Sequence, residues 1–171
     1  MSRYPTIASG RRMSAGVYQS MLPQEKWKTA HEDRSATTTF ADDTDLTTEL
    51  EANAVYHVIM YLHYAAISTA GFKTAWTVPS GATGNRSAQG AGSAATDATA
   101  ATTSRFGVHA FTTSVSYGTR NSASNQCLAQ EEAIVTTTSA GTLAVQWAQT
   151  TSDATATRLG AGSIMIVRRI A

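Results

Sequence analysis

The chain has 171 residues, 15% of them charged, a net charge of +1 and a single cysteine. That length fits one domain, and the sparse, balanced charge excludes an electrostatic nucleic-acid binder and a long disordered chain. Cys127 alone excludes an internal disulfide, and β-branched Thr, abundant beside Ala, Ser and Gly, suits half-exposed strands.

In chain order, residues 1–12 read as an irregular basic arm carrying Arg3, Arg11 and Arg12, with Pro5 and Gly10 opposing regular structure. No apolar run follows the first basic residue, so the start is not expected to be a signal peptide. Met13, Val17 and Met21 then recur every four residues, and Tyr18 and Leu22 widen the stripe. Pro23 should stop this helix at about Leu22, because the residue before proline is pushed out of the α region. So short a helix is marginal alone, and its stripe must dock on its own domain, a neighbouring subunit or a partner. The expected division is an arm and docking helix over 1–24 and a β-domain over 25–171.

From Glu25 the apolar period becomes two. "KWKTA" reads as a short strand with Trp27 on its buried face. "SATTTFADDTDL" follows, anchored by Phe40, with an Asp-rich turn at Asp42 to Asp45. "NAVYHVIMYLHY" is the strongest strand. Val55, His57, Ile59, Tyr61 and His63 share one face, and Tyr56, Val58, Met60, Leu62 and Tyr64 share the other. Both faces are largely apolar, so one should pack on an opposing sheet and the other on a second layer or another subunit. This run is too short for a membrane helix. "FKTAWTVP" puts Phe72, Thr74, Trp76 and Val78 on one side and ends at Pro79. Residues 80–104 lack any large apolar side chain and read as a long exposed loop. "RFGVHAFTTSVSY" returns to strand, and "NSASNQ" reads as a turn. "EEAIVTTTS", "TLAVQWAQ", "ATATRL" and "SIMIVRRI" supply further strands, with Gly141, Gly160 and Gly162 marking turns between them. In "TLAVQWAQ", Leu143, Val145 and Trp147 share the half-buried face. "SIMIVRRI" is apolar on both faces and should lie mid-sheet or at a subunit contact. The expected fold is all-β: a single β-sandwich or jelly-roll-like domain of about eight to nine antiparallel strands. Trp27, Phe40, Val55, Ile59, Tyr61, Trp76, Trp147, Ile164 and Ile166 should form its core or a subunit interface.

The templates of catalysis find no match. No G-x-S-x-G occurs, and Cys127 in "NQCLAQ" has no His beside it and reads as an inert packed thiol. His57 and His63 lie about 20 Å apart along one strand, too far to chelate one metal, while His31 and His109 stand isolated. "ADDTDL" lacks the Gly and the distal Glu of an EF-hand loop. "GAGSAA" matches G-x-G-x-x-A but follows no buried strand. Glu32 and Asp33, like Glu131 and Glu132, are adjacent and should point to opposite faces of their strands, so neither pair converges on one substrate. No catalytic, cofactor or metal residue is assigned, and no enzyme activity is expected. Charge is uneven: seven acidic residues and one basic lie between Glu32 and Glu51, while Arg3, Arg11, Arg12, Arg168 and Arg169 mark the two ends. Such a distribution can steer assembly.

The helix ending in "MLP", the "W-K…RSATTTFADDTDL" run, "WTVPSGA" and the closing "GTLAVQWAQ…AGS" resemble small structural proteins of tailed phages that infect actinobacteria. The resemblance covers nearly the whole chain. It implies a β-sandwich virion protein without catalytic residues, trimeric, on the exterior of a capsid or tail and assembled in the host cytoplasm. The favoured expectation is a capsid decoration or head-fibre protein. Arg3, Arg11, Arg12, Met13, Val17, Tyr18, Met21 and Leu22 would anchor it to the major capsid protein or another virion protein, with the sandwich projecting outward. The alternative is a tail fibre or tail-tip module contacting host envelope glycans, and the third reading is a carbohydrate-active enzyme or lectin. Residues 80–104 hold no aromatic side chain, which weighs against a sugar site on that loop.

Overall fold

The structure is a computed structural model that describes residues 9–10, 12–92 and 104–171. Arg3, Arg11 and residues 93–103 of the central Ser/Thr/Ala/Gly segment therefore lie outside the described residues. After α1 (Ala15–Ser20) the chain runs through β1 (Gln24–Trp27), β2 (Glu32–Arg34), β3 (Ala41–Leu50), β4 (Ala54–Ala66), β5 (Phe72–Thr77) and β6 (Arg86–Ala91). It continues through β7 (Ser104–His109), β8 (Val115–Tyr117), β9 (Ser122–Thr137), β10 (Gly141–Ala148), β11 (Thr157–Leu159) and β12 (Ile164–Arg169).

These strands form an all-β sandwich of two antiparallel sheets. The larger has the order β1-β12-β4-β9-β6-β7, with β11 bridging β4 and β2; the smaller has the order β3-β10-β5-β8. The long β4 and β9 form its axis, in register from Ala54 opposite Thr137 to Tyr64 opposite Cys127. Period two decides the packing, because residues opposed across neighbouring strands point to the same side. Tyr56, Val58, Met60, Leu62 and Tyr64 of β4 face inward and are buried, against Leu46 and Leu50 of β3, Phe72 and Trp76 of β5, and Leu143, Val145 and Trp147 of β10. Tyr64 stacks on Phe72 with ring centroids 4.3 Å apart.

Four local expectations are corrected. The Asp-rich segment is no turn but part of β3, where two steps of β10 oppose five of β3, between the pairs Ala144–Thr47 and Gln146–Asp42. The surplus residues form an irregular bulge, held because Asp43 Oδ1 accepts the backbone N–H groups of Asp45 (3.0 Å) and Leu46 (2.9 Å). Residues 86–91 of the expected loop form β6, whose small side chains suit close packing rather than exposure: Ala88 is buried. "NSASNQ" begins β9 rather than turning. Trp27 is 59% exposed and lies outside the core, because Lys28 takes the inward position beside it. Trp76 and Trp147 are buried, and Phe40 is half-buried with Lys73 Nζ 4.7 Å from its ring centroid.

Gly84 has φ of +139°, and a Cβ there would sit 2.2 Å from the Ile134 carbonyl oxygen. Gly84→Ala is expected to destabilise the fold by more than about 1 kcal/mol, measurable as a lower urea midpoint with an unchanged denaturant slope.

Candidate functional site

The outward side of the large sheet carries one continuous surface. Reading the register across it, Phe106, Gln89, Gln130, Tyr61, Ile164 and Trp27 fall in a single row. The next row runs Val108, Ser87, Glu132, Ile59, Ile166 and Glu25. Ile134, His57 and Arg168 flank it. Thus Val55, Ile59, Tyr61, Ile164 and Ile166 are brought onto one face but not into the core: they are half-buried, shaded by their neighbours on the sheet. Phe106 (72% exposed) and Val108 (69%) project furthest. Polar partners stay within the face. Gln89 Nε2 donates to Gln130 Oε1 at 2.6 Å, and His57 Nε2 lies 2.5 Å from Glu132 Oε1. The apolar residues of the face fall in two groups, Phe106 and Val108 on β7 and Ile59, Tyr61, Ile164 and Ile166 on β4 and β12, separated by the polar Ser87, Gln89, Gln130 and Glu132 of β6 and β9.

The helix presents a second such surface. Ser14 caps it, its Oγ accepting the Val17 N–H at 3.3 Å, and Pro23 separates it from β1. Within α1 no residue is buried; Met13, Tyr18, Met21 and Leu22 are exposed, and Val17 and Ser20 are partly shaded. The apolar stripe is thus left open rather than buried against the described sandwich. Arg12 is exposed beside it.

Two charge clusters sit inside. Glu131 points between the sheets from β9 and is fully buried with Arg86 of β6. Its carboxylate accepts from Arg86 Nη1, Thr74 Oγ1, Trp76 Nε1 (2.5 Å) and Tyr117 Oη (2.6 Å). Arg86 also donates to the carbonyls of Thr74 (3.0 Å) and Thr113 (2.5 Å). Burial first, then the Glu131 carboxylate, push the Tyr117 phenol far above its ordinary range, so it remains a donor. Glu132, next in sequence, points outward, as adjacency required.

In the second cluster, Lys28 Nζ contacts Asp43 at 2.8 Å, Asp45 at 3.0 Å and Glu32 at 3.0 Å, with the Lys28 side chain 1% exposed and that of Asp43 0%. Trp147 Nε1 donates to Asp43 Oδ2 at 3.1 Å. Arg34 holds Glu32 from the other side (2.6 Å) and lies 4.0 Å from the Trp147 ring centroid. Burial pulls the Lys28 ammonium down, but its carboxylate neighbours outweigh it and hold the group above its usual value. Burial likewise pushes the Asp43 carboxyl up, and the Lys28 ammonium and the two backbone N–H groups more than offset that, leaving it below the usual carboxylate range.

Neither cluster was assigned from the sequence, though a signal was present. In "AQEEAIV" Glu131 shares a face with Ala129, Ala133 and Val135, so a charge stood at a core position. Asp43 and Asp45, met as half a calcium loop, face a lysine. Among the described residues no group of three or more His, Cys, Asp and Glu could hold a metal ion. Burial also raises the Cys127 thiol, so it stays protonated at neutral pH.

No family model matches the chain, and no curated protein sequence matches it. Among solved structures it is similar to the tripod from the baseplate of bacteriophage Tuc2009, with a TM-score of 0.37 and 11% identity over 99% of this chain and 75% of that one. It is also similar to a chain of infectious bursal disease virus, Gx strain, with a TM-score of 0.22 and 10% identity over 86% of this chain and 40% of that one.

Proposed function

We propose that the chain is a non-enzymatic structural protein of a phage virion, a capsid decoration or head-fibre protein that works as a homotrimer. Its arm and helix, residues 1–24, anchor it to the capsid surface, and the sandwich projects outward. The observation that carries this reading is the exposed apolar stripe of α1. A short helix with Met13, Tyr18, Met21 and Leu22 all in solvent is marginal until a partner covers it, and burying each such side chain is worth about 1.5–3 kcal/mol. Its neighbour Arg12 and the rest of the basic arm suit an acidic partner surface. The outer face of the large sheet is the second contact surface, assigned to other copies of this chain.

Deleting residues 1–22 should leave a folded sandwich that no longer joins the particle; incorporation at the normal copy number would remove the anchor. For the outer face, Ile166→Glu is expected to turn a trimer into a folded monomer in light scattering, because a charge replaces an apolar contact at its centre. An unmodified protein that is already monomeric at micromolar concentration would refute the trimer.

A tail-tip module that touches host envelope glycans is the second reading. It is favoured by the row in which Phe106 and Tyr61 flank the paired amides of Gln89 and Gln130, since aromatic faces stack on sugar rings and amides bond hydroxyls. Copy number separates the two: hundreds of copies per particle for a decoration protein, a few for a tail tip.

A further inference from the structure

The Lys28 cluster holds more than an ion pair requires. Lys28 Nζ and Asp43 Oδ2 are 2.8 Å apart and shielded from water. The other oxygen, Asp43 Oδ1, lies in a cradle of two backbone N–H donors, from Asp45 at 3.0 Å and Leu46 at 2.9 Å. Two further carboxylates, Glu32 and Asp45, each reach Nζ at 3.0 Å. An amine, an acid, a two-donor cradle and proton carriers are the parts an acyl transfer needs.

We propose that Lys28 and Asp43 are the partners of an intramolecular amide that the folded chain forms by itself. An ammonium proton passes from Nζ, directly or by way of Glu32 or Asp45, to Asp43 Oδ2, and the freed amine attacks Cγ of the resulting neutral acid. The new Cγ–N bond places the developing negative charge on Oδ1, between the Asp45 and Leu46 N–H groups. The Cγ–Oδ2 bond then breaks. Of the three ammonium protons, one stays on the amide nitrogen and two leave with Oδ2 as water. The charges of the pair cancel, and no oxidant, metal or cofactor takes part. The ionised pair is the resting state, so the reaction draws on a minor neutral form. Two features offset that. Well-oriented groups react with effective molarities of about 10⁵–10⁸ M, and the shielding of the Lys28 and Asp43 side chains themselves disfavours hydrolysis of the product, so slow condensation accumulates.

The amide would join the residue after β1 to β3, across the two sheets and 15 positions apart in sequence. β1 is an edge strand that continues directly from the helix and arm, so load on the N-terminus would pass through a covalent tie. The tie itself does not depend on the anchoring role.

The test is the intact mass of the purified full-length chain, followed by peptide sequencing. The expected result is a mass one water below that of the linear chain and a branched peptide joining Lys28 to Asp43. Lys28→Met and Asp43→Asn, checked for folding by circular dichroism, should differ here: the first restores the full mass. The second can still close the amide by losing ammonia rather than water, and so should give the same final cross-link. Glu32→Gln and Asp45→Asn should leave the fold intact and slow cross-linking at least tenfold after refolding from denaturant. A folded wild-type protein that keeps its full mass after days of incubation would show an ion pair only and overturn the proposal. Water loss mapped to any other residue would overturn it equally.

Discussion

Replacing Arg86 with alanine is expected to cost about 3–5 kcal/mol of folding stability, the usual consequence of leaving one member of a buried ion pair without its partner. The Glu131 carboxylate would keep its neutral donors, Thr74, Trp76 and Tyr117, but lose the positive charge. Two backbone acceptors, the carbonyls of Thr74 and Thr113, would lose their donor as well. Domains are stable by only about 5–15 kcal/mol, so this one change removes a large part of the margin. At about 2–4 °C per kcal/mol for a chain of this size, the midpoint of thermal unfolding should fall by roughly 10 °C. Replacing both partners with apolar residues of similar length, Arg86→Met with Glu131→Leu, should recover much of the loss, since a buried pair often does no better than a well-packed apolar core. The recovery is limited because Trp76, Tyr117 and Thr74 would then lack an acceptor. A single Arg86→Ala variant within about 1 kcal/mol of wild type would mean the pair is hydrated and the core is looser than described.

The same pair explains what could and could not be read from residue order. Period two exposed most strands and their faces: the inward row of β4 and the inward Leu143, Val145 and Trp147 of β10 follow from alternation alone. Alternation gives a face but not its side. In "KWKTA" hydrophobicity points the tryptophan inward, yet Lys28 goes in, because three carboxylates await it: Glu32 four residues on, and Asp43 and Asp45 in the bulge of β3. The Asp-rich run looked like a turn because Asp favours local backbone bonds. It does make them, through Asp43 Oδ1, but within a strand. β6 is not legible in the sequence because Ser, Ala, Gln and Gly carry no apolar signal. It is a strand because β7 and β9 pair with it on both sides, a tertiary cause that overrides composition. The outer face needed register between strands far apart in sequence, so its single residues were visible and their arrangement was not.

Trp147→Ala and Trp27→Ala put that distinction to measurement, since the same substitution should give opposite outcomes at the two sites. Trp147 is fully buried. It packs beside Phe72 with ring centroids 6.0 Å apart, lies under the Arg34 guanidinium and supplies a donor to Asp43. Truncation opens a large cavity, strips a cation of its aromatic face and leaves a buried carboxylate oxygen short of one bond. The expected loss is about 3–5 kcal/mol, seen as a lower urea midpoint in the isolated protein. Trp27 is 59% exposed at the edge of the outer face, so its removal should change the stability of an isolated subunit by no more than about 0.5 kcal/mol. Its effect should appear only in association, as a weaker oligomer at equal concentration, because exposed aromatics that become buried on contact dominate interface energies. Trp27→Ala that unfolds the monomer, or that leaves association untouched, would reassign this face as ordinary solvent-facing surface and place all of the contact energy on the helix.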